Sequence, residues 1–215
     1  QVCSAGTRLL VERSVRDQVV DAIVARAERI RLGGPNDPQA ETGALISEAH
    51  MVKVQKYVDD GVAEGAVLRT GGKRSSRPGL ERGWFFEPTV LDHCNTSMRC
   101  VQDESFGPVL TVEVFDTEVD AVRLGNDTIY GLSGGVWTTD LAKAERVANA
   151  LRHGTIWIND YGPYRPEAEW GGFKQSGFGR ELGVSGLHEY LEPKHIWRNT
   201  TPARSGWFSA EGDTA

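Results

Sequence analysis

Residues 134–159, GGVWTTDLAKAERVANALRHGTIWIN, contain the pattern on which the fold prediction depends. A strand-like run at 134–138 is followed by a helical pattern at 140–152 and by a second strand-like run at 155–159. Short strands that alternate with helices of this length are typical of parallel crossover units. The segment therefore predicts an α/β fold, with a mostly parallel open sheet and flanking helices.

The same alternation is found on the N-terminal side of this segment. The further predicted strands are residues 8–11, 86–91 and 109–115, and the further helices are residues 15–31, residues 51–62 and a helix after Thr117. Ser14 with Asp17 three residues later indicates the start of the first helix. Gly154 follows a helical run and is interpreted as a helix stop. Residues 189–198 predict a late strand whose exposed edge pairs with another subunit.

Length, charge and cysteine content limit the classes of function. A chain of 215 residues with 39% hydrophobic composition can bury one substantial core. Its 24 basic and 30 acidic residues give a net charge of -6, which excludes nucleic acid and an anionic membrane surface as expected partners. Three cysteines cannot form a fully paired disulfide framework, which predicts reduced thiols and a cytoplasmic location. Because the chain starts at Gln1, we expect a longer parent, and an upstream targeting peptide stays open.

Cys3 is the candidate nucleophile. It lies among small residues just before a strand, where backbone N–H groups can face the sulfur and favour the reactive thiolate. The alternative is an inert cysteine that packs as a small apolar residue. Cys94 and Cys100 have no such surroundings and are interpreted as structural.

Two further segments have a composition that fits a binding site. In residues 104–109, ESFGPV, a carboxylate and an aromatic ring precede a strand, and a carboxylate at a strand end can hold ribose hydroxyls. The residue types alone favour a simple turn with a solvated acid. In residues 170–181, WGGFKQSGFGRE, four glycines between 171 and 179 let the backbone approach a ligand closely. A flexible surface loop is the alternative interpretation.

The three segments, in this order, resemble the aldehyde dehydrogenase superfamily. The resemblance covers residues 1 to about 198 and includes the Gln-x-Cys element, Glu-x-Phe-Gly-Pro-Val, Tyr130-Gly131-Leu132, the GTIWIN run at 154–159 and the segment from Gly171 to Gly183. Within the superfamily the chain looks closest to the betaine-aldehyde and aminoaldehyde branch. The residues that indicate this branch are Trp170, Asn159-Asp160-Tyr161 and Lys194-His195-Ile196-Trp197.

The resemblance implies a covalent oxidation in which Cys3 is the nucleophile. Its thiolate attacks the aldehyde carbon to give a thiohemiacetal, a hydride passes to a nicotinamide, and water cleaves the resulting thioester. The backbone N–H of Cys3 forms half of an oxyanion hole. Glu104 matches the carboxylate that holds the nicotinamide ribose, Phe106 the ring beside it, and Glu181 a second carboxylate that relays protons. The implied cofactor is NAD or NADP, with NAD favoured.

Residues 160–170 predict the kind of aldehyde. They contain three acids and three aromatic residues, namely Asp160, Glu167, Glu169, Tyr161, Tyr164 and Trp170. Aromatic faces together with carboxylates attract an ammonium group. On residue types alone, acids that are solvated and rings that only pack are an equally good interpretation. The resemblance favours betaine aldehyde, oxidised to glycine betaine, with Tyr164 and Trp170 lining the substrate tunnel. It also implies a potassium ion held by main-chain oxygens near Lys174 and Gly177.

The resemblance also implies missing parts. In this family the side-chain oxyanion donor, the principal general base and the adenosine-binding fold lie before the cysteine motif, so we expect the isolated chain to be inactive. We predict an N-terminally truncated catalytic domain at 1–185, an oligomerisation segment at 186–200 that gives a homodimer or homotetramer, and a flexible tail at 201–215. The alternatives are a dehydrogenase for another aldehyde, a silent oligomerisation module, and a cysteine hydrolase. The hydrolase would pair Cys3 with His50, His93, His153, His188 or His195.

Overall fold

The structure is a computed structural model that describes residues 1–203. The strands of this part of the chain are β1 (Arg8–Glu12), β2 (Val67–Thr70), β3 (Thr89–Asp92), β4 (Val109–Phe115), β5 (Ser133–Val136) and β6 (Thr155–Ile158). Its α-helices are α1 (Arg16–Glu28), α2 (Glu48–Ala63), α3 (Arg99–Gln102), α4 (Glu118–Asn126), α5 (Leu141–Ala150) and α6 (Gly183–His188). None of these helices is both long and apolar enough to span a bilayer.

The strands form two sheets. The first has the order β1-β4-β3-β2, in which β1 and β3 pair parallel with β4, and β2 is an antiparallel edge. The second consists of β5 and β6, which are parallel and are connected by α5. Parallel neighbouring strands require a crossover connection. Between β5 and β6 this connection is α5. The predicted α/β fold with a mostly parallel sheet and flanking helices is confirmed, although the strands are divided between two sheets.

Both faces of the larger sheet are covered by helices. Neighbouring residues of a strand point to opposite faces, and in β3 Val90 packs in a cluster with Val20 of α1, whereas Leu91 packs in a cluster with Val54 of α2. The side chains of Leu91, Val20 and Val54 are all fully buried. This arrangement places α2 directly against the segment that leads from α3 into β4.

Several local predictions differ from the structure. Ser14 does not cap a helix, because its hydroxyl donates to Glu12 Oε1 at 2.9 Å and a 3-10 turn precedes α1. Gly154 is not a helix stop, since α5 already ends at Ala150. The short elements β2, α3 and α6 were not predicted.

The predicted late strand does not form within this chain. Residues 191–199 have no regular structure, because a strand exists only where a neighbouring strand pairs with its backbone groups. Residues 204–215 of the predicted tail lie outside the described residues.

Candidate functional site

An open cavity of about 910 Å³ lies between β1 and β5. Cys3, Glu104 and Phe106 line it, together with backbone and side chains of both strands. Cys3 precedes β1, whereas Glu104 and Phe106 precede β4, and the parallel pairing of β1 with β4 brings the two distant segments to one place. The cavity is therefore the candidate active site.

Cys3 lies on a tight turn at the edge of the cavity. The turn is closed by a hydrogen bond from Ala5 N to Val2 O of 2.9 Å. Cys3 is exposed, whereas Cys94 and Cys100 are buried, so only the first thiol is accessible to a ligand. Within residues 1–203 the Cys3 N–H donates no hydrogen bond, and its sulfur forms no hydrogen bond with a histidine. The N–H is thus free to stabilise a bound oxyanion, and the hydrolase alternative has no imidazole partner.

Two tyrosines hold the residue after Cys3. Tyr161 donates its hydroxyl to Ser4 O at 2.9 Å, and the hydroxyls of Ser4 and Tyr164 lie 2.6 Å apart. Partial burial raises the pKa of Tyr161, which keeps the phenol protonated as a donor. The loop after β6 therefore positions the turn that contains Cys3, a relationship that the local sequence does not reveal.

Four aromatic side chains form an aromatic cluster next to this turn: Trp157, Tyr161, Tyr164 and Trp170. The Tyr164 and Trp170 rings are 4.5 Å apart, and Trp157 lies 4.8 Å from Tyr161 and 6.1 Å from Trp170. In the sequence, Trp157 is distinctive only as part of the family pattern at 154–159. Its place next to the aromatic-rich loop was the signal that could have identified it.

Glu104 faces the cavity with an unengaged carboxylate. It is exposed, and its side chain makes no hydrogen bond or ion pair with any of the residues 1–203. Burial and then the nearby Glu104 charge raise the pKa of the Tyr130 phenol. The Glu104 carboxylate is free to accept hydrogen bonds from ligand hydroxyls, so the site fits the ribose of a nicotinamide cofactor.

The other predicted site residues lie elsewhere. Glu181 is exposed and does not line the cavity, and its backbone pairs with that of Trp170 through two hydrogen bonds of 2.7 Å. Lys174 donates its ammonium to the carbonyls of Asn126 and Thr128 at 3.0 and 2.9 Å. Burial, followed by the charges of Arg152 and Arg8, lowers the pKa of Lys174. The part of the chain that the structure describes has no cluster of three or more His, Cys, Asp or Glu side chains arranged for a metal.

Comparisons with known proteins point in one direction. Residues 1–196 match the profile described as the aldehyde dehydrogenase family. The chain is 57% identical over 210 residues to a betaine aldehyde dehydrogenase of Bacillus subtilis (strain 168), covering 98% of this chain and 43% of that protein. A peroxisomal aminoaldehyde dehydrogenase of Pisum sativum is 43% identical over 208 residues, covering 97% of this chain and 41% of the relative.

A solved structure has the same fold. It is a betaine aldehyde dehydrogenase from Staphylococcus aureus in complex with NAD+, with a TM-score of 0.92 and 54% identity, covering 97% of this chain and 42% of that chain. The chain thus spans less than half the length of the relatives it matches.

Proposed function

This chain belongs to the aldehyde dehydrogenase family, and we therefore propose that it supplies the catalytic cysteine of a nicotinamide-dependent enzyme that oxidises an aldehyde to a carboxylate. The observation that carries the proposal is the position of Cys3. It is exposed on a turn at a cavity that it shares with Glu104, and its backbone N–H is free.

In the proposed reaction the Cys3 thiolate adds to the aldehyde carbon, so that a carbon–sulfur bond forms and the carbonyl oxygen becomes an oxyanion. The Cys3 N–H donates to that oxygen in the thiohemiacetal. A bound nicotinamide cofactor supplies the acceptor for the hydride that leaves this carbon. Water then cleaves the thioester on Cys3, which releases the carboxylate and restores the thiol. We keep proton relay by the exposed carboxylate of Glu181 as a proposal supported only by family resemblance, because Glu181 does not line the cavity of Cys3.

We propose NAD rather than NADP as the cofactor. The support is that the Staphylococcus aureus relative is a complex with NAD+. The unengaged carboxylate of Glu104 suits the diol of the nicotinamide ribose, which NAD and NADP share. Phe106 lines the same cavity and would pack beside the cofactor. We also propose that main-chain oxygens near Lys174 and Gly177 hold a potassium ion, a prediction supported only by family resemblance.

The proposed substrate is betaine aldehyde, and the product is glycine betaine. The aromatic cluster adjoins the turn of Cys3 through the contact between Tyr164 and Ser4, so an ammonium group held there would place its aldehyde near the thiol. Aromatic faces attract such a cation by about 0.5 to 2 kcal/mol per contact. Among the nearby acids, Glu169 is engaged, since it accepts hydrogen bonds from the Ser185 N–H and hydroxyl at 3.4 and 3.2 Å. We therefore propose that the rings of Tyr164 and Trp170, rather than the Glu169 carboxylate, contact the substrate cation.

We retain the remaining predictions as proposals. Residues 1–185 would belong to the catalytic domain, and residues 186–200 would pair with a second copy to give a dimer or tetramer. Exposed apolar side chains support this pairing; they are Tyr190, Leu191, Ile196 and Trp197. A cytoplasmic location stays a prediction that rests on the three free thiols.

The test compares two aldehydes of nearly equal shape on a full-length protein that carries this sequence. Betaine aldehyde has a trimethylammonium group where 3,3-dimethylbutanal has a neutral tert-butyl group. We expect NAD-dependent oxidation of betaine aldehyde with a kcat/KM at least about tenfold higher, the ratio that 1.4 kcal/mol of cation–π attraction gives.

Equal kcat/KM values would contradict the cationic pocket but leave the dehydrogenase assignment standing. No NAD reduction with either aldehyde would contradict the assignment itself.

A further inference from the structure

We propose that His50 is a positioning residue for the cofactor-binding segment, which we define as residues 103–107. The proposal rests on the proposed function, in which Glu104 of this segment binds the cofactor ribose. His50 Nε2 lies 2.8 Å from Phe106 O. A carbonyl oxygen only accepts hydrogen bonds, so the imidazole donates. The two rings also meet edge to face, with centroids 6.5 Å apart.

The backbone that His50 holds is in an unusual conformation. Phe106 has a φ of 54°, in the left-handed region that a bulky side chain adopts only when its surroundings impose it. The hydrogen bond that Phe106 O accepts from His50 therefore helps to stabilise this unfavourable backbone conformation. Glu104 lies two residues earlier, so a change at Phe106 would alter where its carboxylate points.

One face of α2 contacts the whole cofactor-binding segment. His50, Val54 and Tyr57 are spaced by four and three residues, which places them on the same side of a helix. The Tyr57 hydroxyl donates to Cys100 O and also lies 3.2 Å from Asp103 O. A Cβ added to Gly107 would lie 2.6 Å from a methyl group of the buried Val54. The segment is thus held on both sides of Glu104, by Tyr57 before it and by His50 and Val54 after it.

The orientation of His50 is itself fixed by the start of α2. Ser47 is the N-cap residue, and its side chain accepts a hydrogen bond from His50 N at 3.2 Å. This cap holds the backbone of His50 in the first helical turn. The imidazole consequently reaches Phe106 O from a rigid element, as a supporting contact of a binding site must.

The test uses two substitutions of nearly equal shape in a full-length protein that carries this sequence. His50→Gln keeps an N–H donor, whereas His50→Met has none, and both residues are good helix formers. We expect His50→Met to weaken NAD binding about tenfold in calorimetry, near the upper limit for one neutral hydrogen bond. His50→Gln should bind NAD within about twofold of the parent. At saturating NAD, the KM for the aldehyde should be unchanged in both variants.

A second readout needs neither cofactor nor activity. Amide hydrogen exchange of residues 104–107 in the cofactor-free protein should be faster in His50→Met than in the parent, and unchanged in His50→Gln. Lys56→Met is the matched control, because Lys56 lies on the exposed side of the same helix and pairs with Asp60. If His50→Met does not fold, His50→Glu replaces it, since Ser47 and a glutamate three residues later form a capping box without a donor to Phe106 O.

The outcomes separate this proposal from the proposed function. A His50→Met variant with parental NAD affinity and parental exchange would overturn the positioning role, as would a His50→Gln variant that loses as much affinity as His50→Met. If the parent reduces no NAD with any aldehyde, the proposed function fails. The exchange comparison then still decides whether His50 holds the segment.

Discussion

The hydroxyl oxygens of Ser4 and Tyr164 lie 2.6 Å apart across 160 positions of sequence. Ser4 is buried and follows the candidate nucleophile directly, whereas Tyr164 belongs to the aromatic cluster proposed to bind the substrate. One hydrogen bond thus connects the group that would attack the aldehyde with the group that would hold its cation. The relative position of the two halves of the substrate site depends on this contact.

Removal of this contact should slow catalysis in a full-length protein that carries this sequence. We expect Tyr164→Phe and Ser4→Ala each to lower kcat/KM for betaine aldehyde about three- to tenfold, because a net hydrogen bond contributes about 0.5 to 1.5 kcal/mol. The double variant should lose little more than either single variant, since both remove the same interaction. Ser76→Ala, in an exposed serine outside the proposed oligomerisation segment, is the control. Fully additive losses would show that the two hydroxyls act separately.

Thiol labelling distinguishes Cys3 from the other cysteines. Cys3 is exposed, while Cys94 and Cys100 are 7% and 1% exposed. Under native conditions iodoacetamide should therefore modify one thiol of this sequence, and mass spectrometry of peptides should locate the label on Cys3. In denaturant all three thiols should react.

The Cys3→Ser variant extends this experiment. It should show no native labelling, and aldehyde oxidation should fall by at least about a thousandfold, because a serine without a depressed pKa is a poor nucleophile. Native labelling of Cys94 or Cys100, or undiminished oxidation by Cys3→Ser, would contradict the assignment of the nucleophile.

The predictable part of the fold depends on local patterns. The strand predicted at 109–115 is observed as β4 with the same bounds, and the helix predicted at 140–152 is observed as α5. In both elements the apolar pattern extends over enough residues to be recognised without tertiary information. The four-residue strand β2 and helix α3 are too short for such spacing to show. Their formation depends on packing against β3 and α2.

Site residues could be predicted only where they lie in a short run of distinctive residue types. Cys3 and Glu104 each lie in a short distinctive run, and the structure brings both to one cavity. Contacts between distant segments could not be foreseen. The bonds of Ser4 to Tyr164 and of His50 to Phe106 exist only because β6 and α2 are placed beside the cavity by the sheet and its core.

His153 should make the stability of this chain depend on pH. Burial, followed by the positive charges of Lys174 and Arg8, lowers the pKa of the His153 imidazole to about 4. The unfolded chain has a histidine pKa of about 6.5, so below that pH the unfolded state binds the proton more readily. Stability should fall as the pH drops from about 6.5 to about 4, by roughly 2 to 3 kcal/mol from this group.

Urea unfolding at several pH values checks this expectation. The His153→Gln variant lacks this one imidazole, so the difference in free energy of unfolding between parent and variant should change with pH in this window. His188→Gln, in an exposed histidine, is the matched control for the change from histidine to glutamine. Parallel profiles for the parent and His153→Gln would mean that the pKa of His153 is the same in the folded and the unfolded chain.

Gly154 should be far less tolerant of substitution than its predicted role as a helix stop implies. A Cβ added at Gly154 would lie 1.6 Å from Gly171 O, a backbone atom that cannot move aside without its segment. Overpacking of this kind costs at least about 1 to 3 kcal/mol, so we expect Gly154→Ala to lower the free energy of unfolding by about 3 kcal/mol. Gly34 has no atom within 4 Å of an added Cβ, and Gly34→Ala should change stability by less than about 1 kcal/mol.

Because Gly171 follows Trp170, Gly154→Ala should also shift the tryptophan fluorescence of the aromatic cluster. Equal stability of the two variants in urea unfolding would show that the backbones of residues 154 and 171 do not approach as closely as described.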